Sequence, residues 1–300
     1  MLNEIEDLLK KQDVEYKKDV PLSKLSSMGV GGDAALAVYP DSIERLCGFI
    51  SLLRERSIKH RVVGRMTNIL PPDGRYDGVL VLTTRINRFR REDKLLFAEC
   101  GADLSRVIGF MAAQGYGGAE GLSSVPGTVG GAVSGNAGAF GADISDVFIK
   151  GRFLTPMKDI VELSKAQVSF AYRSCGASLN GYIFLDGVFE FREIASSDIL
   201  AKIRELKDRR ARMQPTGSKS LGSIFKRVGD TSAGYYIDKA GLKGLKVGGA
   251  SVSEKHAGFI INLGNATCED ISKLIGIIKK EVYSSFGVEL IEEIKYLEGG

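Results

Sequence analysis

Histidine is nearly missing from this sequence. The 300-residue chain has two, His60 and His256, which all but excludes histidine-based metal sites and any Ser-His-Asp triad. The four cysteines, Cys47, Cys100, Cys175 and Cys268, stand far apart. No CxxC pair or zinc spacing exists, so no metal is expected. Their expected state is reduced, in a cytoplasmic protein. No apolar run approaches the roughly 18 residues of a membrane span, so no membrane insertion is expected. The N-terminal stretch MLNEIEDLLKKQDVEYKKDV is charged throughout, unlike a signal or transit peptide. The net charge is +4, but no basic stripe forms of the kind that nucleic acid requires. Chemistry must run on Ser, Glu, Asp, Arg, Lys, Tyr or a cofactor.

Glycine, by contrast, is concentrated. The stretch Gly117 to Gly141, GGAEGLSSVPGTVGGAVSGNAGAFG, holds nine glycines in 25 residues, and Glu120 is its one ionisable side chain. Glycine allows positive φ and lets another surface come close, because no Cβ intervenes. Successive bare N–H groups in such turns form concave anion sites. A flexible linker would be polar and Ser-rich; this stretch interleaves Val125, Val129, Val133 and Phe140, so it is packed. A phosphate-bearing cofactor lying against backbone is the expectation.

The remaining composition, 44% hydrophobic and 26% charged, is that of an ordinary globular chain long enough for about two or three subdomains. Leu2, Ile5, Leu8 and Leu9 have helical spacing and predict an N-terminal helix within residues 1–20. Gly29 to Gly32 lead into a strand ending at Pro40, as a turn or a ligand contact. Asp41 with Glu44 predicts a capping box, and Ile43, Leu46, Cys47, Ile50 and Leu53 the buried face of the helix that follows. Val62-Val63 is a strand running into the turn Gly64-Arg65-Met66-Thr67-Asn68. Its N–H groups and the Thr67 hydroxyl suit a phosphate, although turn chemistry alone accounts for the residues equally well. Strands are predicted over Val79–Leu82, Leu95–Cys100, Val147–Leu154 and Tyr182–Phe191, and a helix from Asp103 to about Gly115. Another helix from Ser197 or Asp198 ends near Pro215, the best domain boundary. Beyond it are predicted a strand Ser223–Val228, a helix Ser232–Ala240, and a helix capped by Thr267 with stripe Ile271, Leu274, Ile275, Ile278, Val282 and Phe286. The closing strand is Val288–Leu297.

Several motifs together carry a family resemblance. In order they are GRMTN (Gly64–Asn68), VPGTVGGAV (Val125–Val133), NAGAFG (Asn136–Gly141), AYRSC (Ala171–Cys175), GSIFKR (Gly222–Arg227), AGLKG (Ala240–Gly244), GGASVSEKHAGFIINLGNAT (Gly248–Thr267) and FGVEL (Phe286–Leu290). The chain resembles the UDP-N-acetylenolpyruvoylglucosamine reductase family, also called the UDP-N-acetylmuramate dehydrogenases, in this order and over nearly its whole length. The turn GRMTN departs from many members, which have more glycine and serine there. The resemblance implies an α+β fold: a PCMH or vanillyl-alcohol-oxidase-type FAD-binding region of two subdomains, about 21–85 and 86–195, and a C-terminal α+β substrate domain, 196–300. YRSC runs closely on to the next strand, as in the family's short form, which lacks an extra substrate loop.

The resemblance also implies FAD, with NADPH as electron donor, and reduction of the enolpyruvyl ether of UDP-N-acetylglucosamine to UDP-N-acetylmuramate, a peptidoglycan precursor. FAD contacts are implied at Gly64, Arg65, Thr67 and Asn68, and at Gly121, Ser124, Val125, Pro126, Gly127, Thr128, Gly131, Asn136, Gly138 and Ala139. Arg173 matches the catalytic arginine, Ser223 the proton donor and Glu293 the catalytic glutamate, with Glu292 its neighbour on the other strand face. Tyr172, Lys226 and Arg227 are implied at the substrate. His256 is expected to be a satisfied loop residue. With no histidine environment of the kind used for covalent attachment, the flavin is expected to be non-covalent. The alternative is another FAD oxidoreductase of this fold acting on a hydroxy acid or alcohol.

Overall fold

The computed structural model describes residues 14–297 together with Ile5 and Leu9. Ile5 and Leu9, one helical turn apart, are helical and buried; Leu2 and Leu8 lie outside the described residues. The expected helix does not extend to residue 20, because Glu15–Pro21 is a strand. That segment takes the edge of a four-stranded sheet, where charged side chains and a closing proline are tolerated.

The chain divides into two compact units, and the division is not the linear one expected at residues 195 and 196. Residues 1–17, 36–65 and 79–208 form the first; residues 18–35, 66–78 and 209–300 form the second. Two short N-terminal stretches therefore pack with the C-terminal part, which sequence order could not suggest.

The first unit is built on a five-stranded antiparallel sheet. Its order is Ile160–Ser164, Phe148–Leu154, Ile183–Glu190, Leu95–Glu99, Phe89–Glu92. Each strand was expected from its apolar run except Ile160–Ser164 and Phe89–Glu92, whose exposed, charged faces hide the pattern. Phe148 meets Phe170 and Phe189 edge to face, and Phe153 meets Phe184 likewise, at centroid separations of 5.1–5.6 Å, a favourable arrangement for aromatic quadrupoles. The helix Leu104–Ala113 starts at Asp103, whose carboxylate accepts from the Arg106 N–H at 2.9 Å. A parallel pair, His60–Val63 with Tyr76–Leu82, belongs to the four-stranded sheet.

Helix Ile43–Glu55 buries Ile43, Leu46, Phe49, Ile50 and Leu53. Its cap corrects the expectation. Ser42 Oγ, not Asp41, accepts from the Arg45 N–H at 3.2 Å, while Asp41 pairs with the Arg45 guanidinium at 3.0 Å. Asp41 stands one residue too early to reach the orphan amide. Cys47 was expected in the core and is half-buried; burial still pushes its thiol up to about 11.

The second unit has its own apolar cluster around Ile224, Ile237, Val252, Ile271, Leu274 and Ile278. Helix Cys268–Phe286 closes it, with Thr267 Oγ1 accepting from the Asp270 N–H at 3.0 Å and Asp270 returning the bond to the Thr267 N–H at 3.1 Å. Phe286, expected on the buried stripe, is 42% exposed and leans on Tyr236 at 5.7 Å; it is the last residue before Gly287 turns the chain at φ 65°. Two expected strands are shorter than predicted. Ser223–Val228 is a series of isolated bridges to Phe259, Glu292 and Thr231, because each residue finds a different partner segment. Of Val288–Leu297, only Lys295–Tyr296 is regular, paired in parallel with Ile69–Leu70. Asn262 ties this unit internally: its amide donates to the Met28 carbonyl at 2.9 Å and its oxygen accepts from the Gly264 and Ala266 N–H groups at 2.7 and 3.0 Å.

Two outcomes are expected from this architecture. Thr267→Ala removes one half of a reciprocal cap and should cost about 1 kcal/mol in urea unfolding. Cys100 is fully enclosed, and burial pushes its thiol up to about 12. At pH 8 its thiolate fraction is therefore about 10⁻⁴, and a disulfide reagent should modify it only after unfolding; rapid labelling of the native protein at Cys100 would contradict the burial.

Candidate active site

Arg173 stands at the tip of a two-residue hairpin. Phe170–Ala171 pairs with Ser174–Cys175, leaving Tyr172 and Arg173 as the turn. Arg173 adopts φ 52°, a left-handed conformation that costs an L residue about 1–2 kcal/mol. Such outliers gather at functional positions. Its Nη2 donates to the Gly138 carbonyl at 2.5 Å, Nη1 donates to the Asn136 carbonyl at 3.4 Å, and Nη1 faces Asp143 Oδ1 at 3.5 Å. The guanidinium also lies 5.0 Å from the Tyr172 ring centroid. Asn136 Nδ2 holds the hairpin base by donating to the Ala171 carbonyl at 2.9 Å.

The arginine thus rests on the glycine-rich stretch itself. Gly138 and Asp143 are cross-strand partners in a short hairpin, Gly138–Ala139 with Ala142–Asp143. A β-carbon on Gly138 would fall 1.6 Å from Asp143 Oδ1 and 2.7 Å from Arg173 Nη1. Only glycine leaves room for the charge pair. Upstream, Thr128 caps the helix Val129–Gly135 by accepting from the Gly131 N–H at 3.1 Å. Gly64, at the end of the strand His60–Val63, is glycine for the same kind of reason: its β-carbon would meet Thr128 Oγ1 at 2.5 Å. Asp103 receives the guanidinium of Arg65. Burial pushes the Asp103 carboxyl up, but the Ser105 hydroxyl, the Arg106 N–H and Arg65 outweigh it and hold it below the usual range.

This segment fits a dinucleotide. Among the described residues, the buried hydroxyls of Ser123 and Ser124 have no hydrogen-bond partner, an uncommon state for buried polar atoms unless a ligand or water meets them. Gly118, Gly127, Asn136, Phe140 and Gly141 all have positive φ, so the backbone turns repeatedly within the stretch. Gly121, Val125, Pro126 and Ala139 lie in the same stretch, with Gly121 packed so that a β-carbon would touch the Ala139 carbonyl at 2.2 Å.

The second unit assembles a different set. The Ser223 backbone bridges Phe259. Next to it, the Glu293 N–H donates to the Ile224 carbonyl at 2.8 Å. Glu292 is taken up elsewhere: it accepts from Lys279 Nζ at 3.1 Å and from the Tyr296 hydroxyl at 2.7 Å. Burial and this carboxylate push the Tyr296 hydroxyl well above its usual range. Asn68, expected at the cofactor, donates from Nδ2 to the Glu293 carbonyl at 3.1 Å. Thr67 belongs to the same unit. Lys226 donates its N–H to the Ile291 carbonyl at 2.8 Å, and the guanidinium of Arg227 closes its own turn onto the Asp230 carbonyl. His256 Nδ1 accepts from the Gly258 N–H at 3.1 Å, and burial pushes the ring's pKa down; it is a satisfied loop histidine.

Sequence reasoning missed Asp143, Ser123 and Asp103 as participants. Asp143 carried a signal, an acid just past the segment's last glycine in an otherwise uncharged run. Ser123 carried none beyond its neighbour Ser124.

An α+β chain with a close-packed glycine-rich stretch, two buried hydroxyls without partners in it, and an arginine bonded to its carbonyls suits a flavin-binding oxidoreductase. Comparison with known proteins narrows this. Residues 34–164 match the profile of an FAD binding domain, and residues 214–297 match the C-terminal domain of UDP-N-acetylenolpyruvoylglucosamine reductase. The chain is 40% identical over 296 residues to the UDP-N-acetylenolpyruvoylglucosamine reductase of Caldicellulosiruptor bescii, covering 98% of this chain and 94% of that one. It is 40% identical over 292 residues to the enzyme of that name from Clostridioides difficile, covering 97% and 95%. The crystal structure of the Thermus caldophilus reductase superposes with a TM-score of 0.81 at 28% identity, over 95% of this chain and 99% of that one. The chain belongs to the UDP-N-acetylenolpyruvoylglucosamine reductase family, and FAD is its cofactor. No helix among the described residues is long and apolar enough to cross a membrane.

Gly138→Ala tests the cradle. The added methyl must displace either Asp143 or the Arg173 guanidinium, and substrate reduction should fall on the order of 100-fold if the arginine takes part. Far-UV circular dichroism should be retained. An active Gly138→Ala protein would show that the close contact is dispensable.

Proposed function

We propose that the protein reduces the enolpyruvyl ether of UDP-N-acetylglucosamine to UDP-N-acetylmuramate, using NADPH, with Arg173, Ser223 and Glu293 as the reacting side chains. The observation that carries this reading is Arg173, held in a left-handed hairpin tip against the glycine-rich stretch. Non-covalently bound FAD supplies the two-electron chemistry that side chains lack.

The substrate dictates what the residues must do. Hydride arriving at the terminal vinyl carbon leaves negative charge on the adjacent carbon and its carboxylate. A guanidinium suits that carboxylate, being planar, permanently charged and able to donate two bonds at once. The Ser223 hydroxyl then gives its proton to the adjacent carbon, completing the saturated ether, and the serine regains a proton from solvent. A hydroxyl is a weak acid in water, but a carbanion-like centre is a strong base, and a positioned proton donor contributes about 10²–10⁴ in rate. Glu293 acts in its protonated form, since a carboxylate beside growing negative charge would oppose the reaction. Glu292 is held by Lys279 and Tyr296; this reading places the reacting carboxyl at Glu293.

Tyr172 beside Arg173, and Lys226 and Arg227 beyond Ser223, meet the UDP moiety and substrate carboxylate in this reading. Only residues 176–182 separate the Arg173 hairpin from the strand Ile183–Glu190, which supports a short form without the extra substrate loop. A reaction serving peptidoglycan precursor synthesis from nucleotide-linked sugars fits a cytoplasmic enzyme.

The test is anaerobic. NADPH should bleach the flavin absorbance, and the UDP-enolpyruvyl sugar should restore it. Ser223→Ala should leave the first step intact and slow the second at least about 100-fold. Equal loss of both steps would remove Ser223 from the proton-donor role. Reoxidation by oxygen alone, with indifference to the UDP-sugar, would favour an oxidase acting on a hydroxy acid or alcohol.

A further inference from the structure

The turn Gly64–Asn68 was expected to face the cofactor as a whole. Its last residue also bonds within the second unit. Asn68 accepts the Lys295 N–H on its backbone carbonyl at 2.9 Å and donates from its side-chain Nδ2 to the Glu293 carbonyl at 3.1 Å. In a parallel ladder, a residue accepts from one neighbour on the facing strand and donates its backbone N–H to the residue two before it. Here the side-chain amide takes the donor's place. The regular pairing covers Ile69–Leu70 with Lys295–Tyr296; Asn68 carries it back to residue 293 by means of its side chain.

The Glu293 N–H in turn donates to the Ile224 carbonyl at 2.8 Å, and the Ile224 N–H donates to the Gly258 carbonyl at 2.9 Å. The peptide groups on either side of the Glu293 α-carbon are therefore each held: one through its N–H by the Ser223–Phe225 segment, the other through its carbonyl by Asn68. Together these bonds limit rotation about that carbon and so fix the direction in which the Glu293 side chain leaves the backbone. A short amide on residue 68 suits the task. Asp is the same size but lacks the donor, and Ala lacks both the donor and the reach.

We infer that Asn68 is a positioning residue for Glu293, acting through the backbone of the segment that carries it. The inference rests on the reading of Glu293 as a reacting carboxyl. Loosening that peptide should cost on the order of 10-fold to 100-fold in the substrate step, the usual consequence of misplacing a reacting group by about 1 Å.

The experiment compares Asn68→Asp, Asn68→Ala, Glu293→Gln and the double variant Asn68→Asp/Glu293→Gln, all as the FAD-loaded full chain. FAD affinity is read by flavin fluorescence titration, and the two half-reactions by anaerobic stopped flow. The inference expects Asn68→Asp and Asn68→Ala to bind FAD within about threefold of the parent and to accept electrons from NADPH at the parental rate. Both should slow the substrate half-reaction at saturating substrate, with KM little changed. In the Glu293→Gln background the Asn68→Asp change should add almost nothing, because groups acting as one unit are non-additive. Loss of FAD affinity with a parental substrate step once flavin is saturating would make Asn68 a cofactor ligand and overturn the inference. Multiplicative losses in the double variant, or no effect of either Asn68 substitution, would also overturn it. A fully active Glu293→Gln protein would bring down the reading of Glu293 itself, a result distinguishable from the others because it appears without touching Asn68.

Discussion

Backbone in the glycine-rich stretch comes closer to its surroundings than a β-carbon permits. At Gly138 the space a methyl would fill is occupied by a carboxylate oxygen and a guanidinium nitrogen. At Gly64 it is occupied by the hydroxyl that caps the helix Val129–Gly135. These contacts let polar atoms, rather than side-chain carbon, line the segment. The unpaired hydroxyls of Ser123 and Ser124 lie in the same stretch. Leaving buried hydroxyls without partners costs roughly 1–3 kcal/mol each.

Arg173 follows from the same constraint. A guanidinium over a nearly uncharged segment needs acceptors, and the segment provides carbonyls at Asn136 and Gly138, with Asp143 at longer range. Its side chain is 20% exposed, so the charge keeps some contact with solvent and is not trapped in a low-dielectric interior. The left-handed backbone of the hairpin tip is sustained by the bond from Asn136 to its base. An arginine so held is ordered in advance, the condition under which a charge can act as a preorganised group.

The second unit solves a separate problem, that of joining short segments from distant parts of the chain. Segments around residues 68–70, 223–225, 258–259 and 292–296 lie edge to edge through single bridges and one short parallel pair. The irregularity has a purpose in physical terms. Isolated bridges allow each segment to change partner after one or two residues, so Ser223 and Glu293 are brought to adjacent segments that a long regular ladder would have kept apart. The helix Cys268–Phe286 stabilises the arrangement from one side, and Lys279 from its outer turns anchors Glu292.

Local patterns in the sequence determined most of the regular elements. The helix begun by Asp103, the one capped by Thr267, and the strands Phe148–Leu154 and Ile183–Glu190 follow from apolar spacing and capping chemistry, which act over a few residues. The motifs likewise determined the family and the cofactor, because close-approach glycines and the AYRSC hairpin are contiguous in the chain. Tertiary structure alone decided the rest. That residues 18–35 and 66–78 pack with the C-terminal unit, that Ser42 and not Asp41 caps its helix, that Asp143 faces Arg173, and that Asn68 bonds to Glu293 depend on contacts between residues far apart in sequence or on angles finer than a pattern encodes. The physical reason is that propensity and periodicity report on neighbours along the chain, whereas the position of a charge or an amide is set by whichever distant surface folds against it.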